Sequence, residues 1–168
     1  IIGYRVCRDS ASEIVSCVTQ WIKENNRRCP YFACLNPHAA VVASDDRDFH
    51  VSLDSADFLT ADGIGVVYAS RMLGGNLKGR ITGMDVFQGV TEAMNAAKVG
   101  SCFFLGSTEE TLNKIRSKMA EQFPNVAVAG TYSPPYKPEF SVDDNEKMIH
   151  VINEAAPDVL WVGLTAPK

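Results

Sequence analysis

Short apolar runs alternate with longer stretches of helical spacing along the whole 168-residue chain, and this alternation constrains the fold more than any other feature. Two parallel strands cannot be joined by a tight turn; they need a crossover of a dozen or more residues, usually a helix. Strand-like runs are expected at Ile2–Val6, Tyr31–Leu35, Asp57–Thr60, Ser101–Leu105, Val126–Gly130 and Val159–Gly163. Between them lie helical patterns. Ser10-Ala-Ser-Glu13 reads as a capping box that opens a helix with Ile14, Cys17, Val18, Trp21 and Ile22 on one face. Further helices are expected at Pro37–Ser44, Phe49–Ser55, Ile64–Leu73 (stopped by Gly74-Gly75) and Thr82 to about Lys98. Ser107-Thr-Glu-Glu110 should cap a helix to Gln122, and Ser141-Val-Asp-Asp144 one to about Ala155. The expectation is an α/β, Rossmann-like fold: a mostly parallel sheet with helices on both faces, formed by residues 1–168 as a single domain.

Composition narrows the function classes. Hydrophobic residues make up 46% of the chain and charged residues 21%, an ordinary globular balance. The net charge of −4 argues against a nucleic-acid partner, which would need clustered Lys and Arg; Arg27-Arg28 reads as a solvated basic pair. Five cysteines without a C-x-x-C spacing read as reduced thiols of a cytoplasmic protein. No apolar run approaches the roughly 18 residues of a membrane span, so any membrane contact is expected to be peripheral. Ser133-Pro-Pro-Tyr-Lys-Pro138 is stiff and reads as a surface loop or a ligand-facing segment.

In open α/β sheets ligands bind beyond the carboxyl ends of the strands. The segments there are Asn36-Pro-His38, Ala61-Asp-Gly63, Gly106-Ser107 and Thr131-Tyr132. Asp62 is a carboxylate between a strand and a helix, followed by Gly63, where a ligand can approach the backbone. Two readings stand for it: a general base, or the cap of the following helix. Asn36 and His38 either hydrogen-bond a polar ligand or cap their helix. Gly106-Ser107 offers free amides to an anion such as phosphate. Arg80, after the flexible Gly74–Gly79 segment, either neutralises a phosphate or lies on the surface. Asp46-Arg47-Asp48 spells a metal-binding D-x-D, but it lies in a polar stretch between helices and reads as solvated surface. Asp62-Gly-Ile-Gly65 resembles the start of a dinucleotide fingerprint, yet Tyr68 fills the third glycine position and the acid would repel pyrophosphate.

Five blocks in order carry a resemblance across nearly the whole chain. Ser55-Ala-Asp-Phe-Leu-Thr-Ala-Asp-Gly-Ile-Gly-Val-Val-Tyr-Ala-Ser-Arg71 and Lys78-Gly-Arg-Ile-Thr-Gly-Met-Asp85 are the longest. Phe103-Phe-Leu-Gly106, Val128-Ala-Gly-Thr-Tyr132 and Val162-Gly-Leu-Thr-Ala-Pro-Lys168 follow. Together they resemble the WecG/TagA/CpsF family, glycosyltransferase family 26. The resemblance implies an inverting, metal-independent transferase with no cofactor, acting on a UDP-sugar whose sugar is N-acetylmannosamine, its uronic acid or glucose. It implies a polyprenyl-diphosphate-linked acceptor at the inner face of a bacterial plasma membrane, in cell-surface polysaccharide synthesis; homo-oligomers are also linked to the family. Carried over by position, Asp62 matches the proposed base, Arg80 the arginine that steadies the diphosphate, and Asn36 the asparagine after the second strand.

Two departures from the family pattern bear on substrate. Cys34 stands where the family often has Thr, and a thiol is a weak donor to a sugar. The family block continues beyond Lys168 with a glutamine and a membrane-binding C-terminal extension, so the chain is expected to be a truncated core, with membrane contact made by the segment it lacks. The rival expectations are a non-catalytic nucleotide-sugar-binding domain and an NAD-dependent oxidoreductase.

Overall fold

A computed structural model describes residues 3–24 and 29–166. Its elements run α1 (Ala11–Lys23), β1 (Phe32–Leu35), α2 (Pro37–Asp45), α3 (Arg47–Asp54), β2 (Phe58–Ala61), α4 (Ile64–Met72) and α5 (Gly83–Ala97). They continue with β3 (Ser101–Gly106), α6 (Glu109–Gln122), β4 (Ala127–Tyr132), α7 (Val142–Ala155) and β5 (Val159–Gly163). The expected parallel α/β architecture is present: every ladder among the described residues is parallel, in a two-stranded sheet β1-β2 and a three-stranded sheet ordered β4-β3-β5. The described residues divide into two compact units, 3–18 with 29–90, and 19–24 with 91–166.

In the first unit, β1 and β2 pair in register from Phe32 opposite Phe58 to Leu35 opposite Ala61. Both strands are apolar because the sheet packs into a core of Leu35, Leu59, Ala61, Val66, Val67 and Leu53. Parallel strands buried in this way read as continuous apolar runs, which is why they were visible in the sequence. Pro37 at the start of α2 fits the first helical turn, where its missing N–H costs nothing. Asp46 caps α3 by accepting from the Phe49 N–H at 2.9 Å. The D-x-D therefore has a local structural role at its first position, and this cap starts α3 two residues earlier than apolar spacing suggested.

The strand expected at Ile2–Val6 does not form over its described residues, which are irregular; Ile2 itself lies outside them, as does the Arg27-Arg28 pair. A single backbone bond, Cys7 N–H to the Leu59 carbonyl at 2.8 Å, attaches this segment beside β2. One bond does not make a ladder. Apolar character alone could not distinguish a packed irregular segment, anchored by the buried Tyr4, from a strand.

In the second unit, β3 is the central strand, with β4 and β5 on either side. Its Cys102–Leu105 run is buried, and Phe103 and Leu105 pack with Met148 of α7. The register with β4 slips between Cys102 and Phe103. At the slip Gly130 faces the Phe103 ring, where an added Cβ would come within 2.5 Å of Cε2. β4 runs two residues further than expected, so Thr131 and Tyr132 are the last residues of the strand and not a loop beyond it. The helix α7 begins with the expected capping box, Ser141 and Asp144 each bonding the other's backbone N–H at 3.2 and 2.9 Å.

Candidate active site

The carboxyl ends of β1 and β2 lie side by side, and the first residues past them are Asn36 and Asp62. The Asp62 N–H donates to the Leu35 carbonyl at 2.9 Å, extending the ladder by one bond and fixing where the carboxylate emerges. Asp62 does not cap α4. The N-cap is Gly63, with no side-chain cap hydrogen bond, and the half-buried carboxylate is left for other work. Gly63 adopts φ +147°, and a Cβ there would stand 3.3 Å from Cδ of Pro37. Only glycine accepts both the dihedral and the close approach of the two strand exits. Gly65 also packs on Pro37, so the two glycines of the apparent dinucleotide fingerprint serve this contact.

The segment after Gly79 is stitched to the same strand end. The Ile81 N–H donates to the Ala61 carbonyl at 3.0 Å, and the buried Thr60 hydroxyl donates to the Ile81 carbonyl at 3.1 Å. This delivers Arg80 and Gly83 to the end of β2. Arg80 is exposed, and its charge helps hold the Asp85 carboxyl below its ordinary range, after the larger effects of the Thr82 N–H and hydroxyl. Those two donors lie 2.7 and 2.8 Å from Asp85 Oδ2 and form the capping box of α5.

Cys34 completes the cluster. Its sulfur is surrounded by the Thr60 hydroxyl, the Gly83 N–H and the Asp62 carboxylate. Burial, and after it the negative charge of Asp62, push the thiol up to about 11. At neutral pH Cys34 therefore keeps its proton and faces Asp62 as a neutral thiol. A Cβ on Gly83 would sit 3.6 Å from the sulfur, so the turn into α5 closes over the thiol. Sequence reasoning saw Cys34 as a weak sugar contact; the contact it makes here is with Asp62.

Asn36 takes the capping role that was one of its two readings: its Oδ1 accepts from the Ala39 N–H at 2.8 Å. Its side-chain Nδ2 donors are what remain for a ligand. His38 is exposed on the first turn of α2. Thus Cys34, Asn36, Asp62, Gly63 and the Arg80–Gly83 segment come together, with His38 on the adjoining turn.

The second unit gathers its own strand-end residues. Ser107 is not the cap of α6; it sits at φ +60°, outside the extended conformation that an N-cap needs, and Thr108 caps instead by accepting from the Thr111 N–H. The Ser107 carbonyl accepts from the Ser133 hydroxyl at 2.7 Å. Thr131 Oγ1 accepts from Arg116 Nε and Nη2 at 3.2 and 2.9 Å, and the Lys147 ammonium stands 5.8 Å from the Tyr132 ring centre. Arg116 and Lys147 were missed by sequence reasoning, since each looks like an ordinary solvated position of its helix. Gly106 sits at φ +118°, and a Cβ there would run into the Gly163 carbonyl oxygen of β5, so both the dihedral and the contact call for glycine.

Comparison with known sequences gives the family. The glycosyl transferase WecG/TagA/CpsF family matches residues 1–168. The chain belongs to the WecG/TagA/CpsF family. Among its relatives in the family is the N-acetylglucosaminyldiphosphoundecaprenol N-acetyl-beta-D-mannosaminyltransferase of Bacillus subtilis (strain 168). It is 35% identical over 133 residues, 79% of this chain and 49% of the relative. Proteins of the same name from Bacillus spizizenii and Staphylococcus aureus (strain NCTC 8325) are 29% and 23% identical, over 94% and 100% of this chain and 59% and 63% of their own lengths. The chain thus spans about half to three fifths of the length of these WecG/TagA/CpsF relatives. Among the described residues no helix is long and apolar enough to cross a membrane.

Proposed function

We propose that the chain is the catalytic core of an inverting glycosyltransferase that moves N-acetylmannosamine from its UDP-sugar to N-acetylglucosaminyl-diphosphoundecaprenol. The observation that carries this reading is the half-buried Asp62, positioned by the ladder at a strand exit, free of capping duty and close to a neutral thiol. The relatives' shared name supplies the sugar and the acceptor.

In the proposed step a carboxylate oxygen of Asp62 takes the proton of the acceptor hydroxyl as that oxygen attacks the anomeric carbon. The bond from that carbon to the β-phosphate oxygen breaks, and UDP leaves with the electron pair. One displacement inverts the anomeric configuration. Arg80, on its exposed segment, offsets the charge developing on the diphosphate. Asn36 offers Nδ2 to the donor sugar, and His38 borders the same turn. No metal and no cofactor enters the scheme. Separately, the Gly106–Ser107 turn of the second unit, with Thr131 and Tyr132 beside it, offers polar groups to a substrate. Because the acceptor is a polyprenyl lipid, the enzyme works at the inner membrane surface as a peripheral protein.

The test is turnover of a panel of UDP-sugars with N-acetylglucosaminyl-diphosphoundecaprenol by the full-length protein and its Asp62→Asn variant, with and without a chelator. Turnover selective for N-acetylmannosamine, indifferent to chelator and about 10²–10⁴-fold slower in the variant at unchanged UDP affinity, is expected. A variant as fast as the parent would remove Asp62 as the base.

A further inference from the structure

A groove lies in the first unit outside the Asp62 cluster, sharing no residue with it. It encloses about 490 Å³ where residues 4–8 run past the end of α4 and the loop that follows. Arg5, Arg8 and Asn76 line it, together with Tyr4, Ser70 and Leu73. No carboxylate is among its lining residues. The salt bridges among the described residues join Lys114 to Glu110, Lys137 to Asp144 and His150 to Glu154, so neither arginine is paired there. Two exposed arginines along one groove, with no carboxylate in its lining, favour an anion there.

The walls are built before any ligand arrives. Tyr4 is only 5% exposed, and its hydroxyl is hydrogen-bonded to His50 Nδ1 at 2.7 Å. Ser70 is 2% exposed, and its carbonyl accepts from the Gly75 N–H at 2.7 Å, which folds the loop carrying Asn76 back onto α4. A preformed cationic cleft binds without first ordering its own backbone. Guanidinium groups match phosphate oxygens with paired hydrogen bonds, and Asn76 adds a neutral donor. The rim is apolar: Leu73 is 73% exposed and its neighbour Met72 88%.

We propose that this groove binds a phosphate group, held by Arg5 and Arg8 with Asn76 as a third donor. The inference goes beyond the transferase reading and does not depend on it. The exposed Met72 and Leu73 suit a phosphate that carries an acyl chain, as an anionic phospholipid does; free inorganic phosphate presents the same charge without the chain.

The experiment uses the intact protein, an Arg5→Gln/Arg8→Gln double variant, an Asn76→Asp variant and Asp62→Asn. Inorganic phosphate is titrated while the amide shifts of residues 70–77 are followed. Sedimentation with vesicles of phosphatidylglycerol and phosphatidylcholine, against phosphatidylcholine alone, gives the lipid arm. Binding to the anionic vesicles is expected to weaken about thirtyfold in the double variant. Asn76→Asp, a single change at an exposed position, should weaken it in the same direction, while Asp62→Asn leaves it unchanged. Phosphate-induced shifts without vesicle binding, abolished in the same variants, would assign the groove to free phosphate. No response to either probe, or binding that survives in folded variants with the parent's thermal unfolding curve, would overturn the proposal.

Discussion

The thiol of Cys34 lies within the electrostatic reach of the Asp62 carboxylate across the ends of two neighbouring parallel strands. The charge on Asp62 disfavours the Cys34 thiolate. Burial is the larger cause, and the pair is neutral on the sulfur side throughout the physiological range.

The thiol should therefore titrate near 11 in the folded protein, raised from an ordinary value of 9.0. Because the folded value is raised, the stability it contributes is complete below about pH 9 and is lost as pH rises through 11. The Asp62→Asn variant removes the carboxylate charge, so its Cys34 should titrate lower. The pH dependence of Cys34 alkylation, followed by peptide mass in parent and variant, measures both. An unchanged midpoint in the variant would mean that the two side chains do not face each other.

Asn36 holds two roles that one substitution separates. Asn36→Asp keeps the oxygen that accepts from the Ala39 N–H, so the cap and the thermal unfolding midpoint should persist. It removes the Nδ2 donors, and turnover should fall about tenfold, the worth of one good hydrogen bond. Asn36→Ala should lose both turnover and roughly 1 kcal/mol of stability. Equal turnover in Asn36→Asp and the parent would leave Asn36 a cap only.

Gly106→Ala places a methyl group against the Gly163 carbonyl at a residue held at φ +118°. Strain and overlap act together, and the cost should exceed about 1 kcal/mol in chemical denaturation. The loss would appear as earlier exposure of β3 and β5 amides to hydrogen exchange.

Acid should open α7 from its first turn. The Asp144 carboxyl is held down to about 2 by Lys137 at 2.7 Å and by the N–H and hydroxyl of Ser141. A depressed folded value means a contribution present above the ordinary carboxyl range near 3.8 and lost as pH falls toward 2. Proton titration of the Asp144 side chain by NMR gives the midpoint, and Lys137→Ala should move it upward.

The features legible in the sequence are those whose causes lie within a few residues. The Ser10–Glu13 and Ser141–Asp144 boxes are decided by side chains one helical turn apart, and both form as read. Ser107 misled because its hydroxyl suits a cap, while the backbone there is turned to φ +60° as the chain leaves β3. Thr131 lay beyond its strand on local grounds but pairs with Phe104 in the β3–β4 ladder. Arg116 could not be found at all, because its partner Thr131 lies on another element.

The sequence by itself determined the alternation of strands and helices from residue 11 onward, their parallel α/β character, the Ser141–Asp144 capping box and the family, since periodicity and short-range hydrogen bonding are local properties of the chain. Tertiary structure decided that Asp62 leaves α4 uncapped and meets Cys34, that Gly63 abuts Pro37, and that Arg5 and Arg8 share a groove with Asn76. The physical reason is register. Pairing Leu35 with Ala61 brings together residues that two intervening helices separate along the chain, and no local periodicity encodes which strand ends will meet.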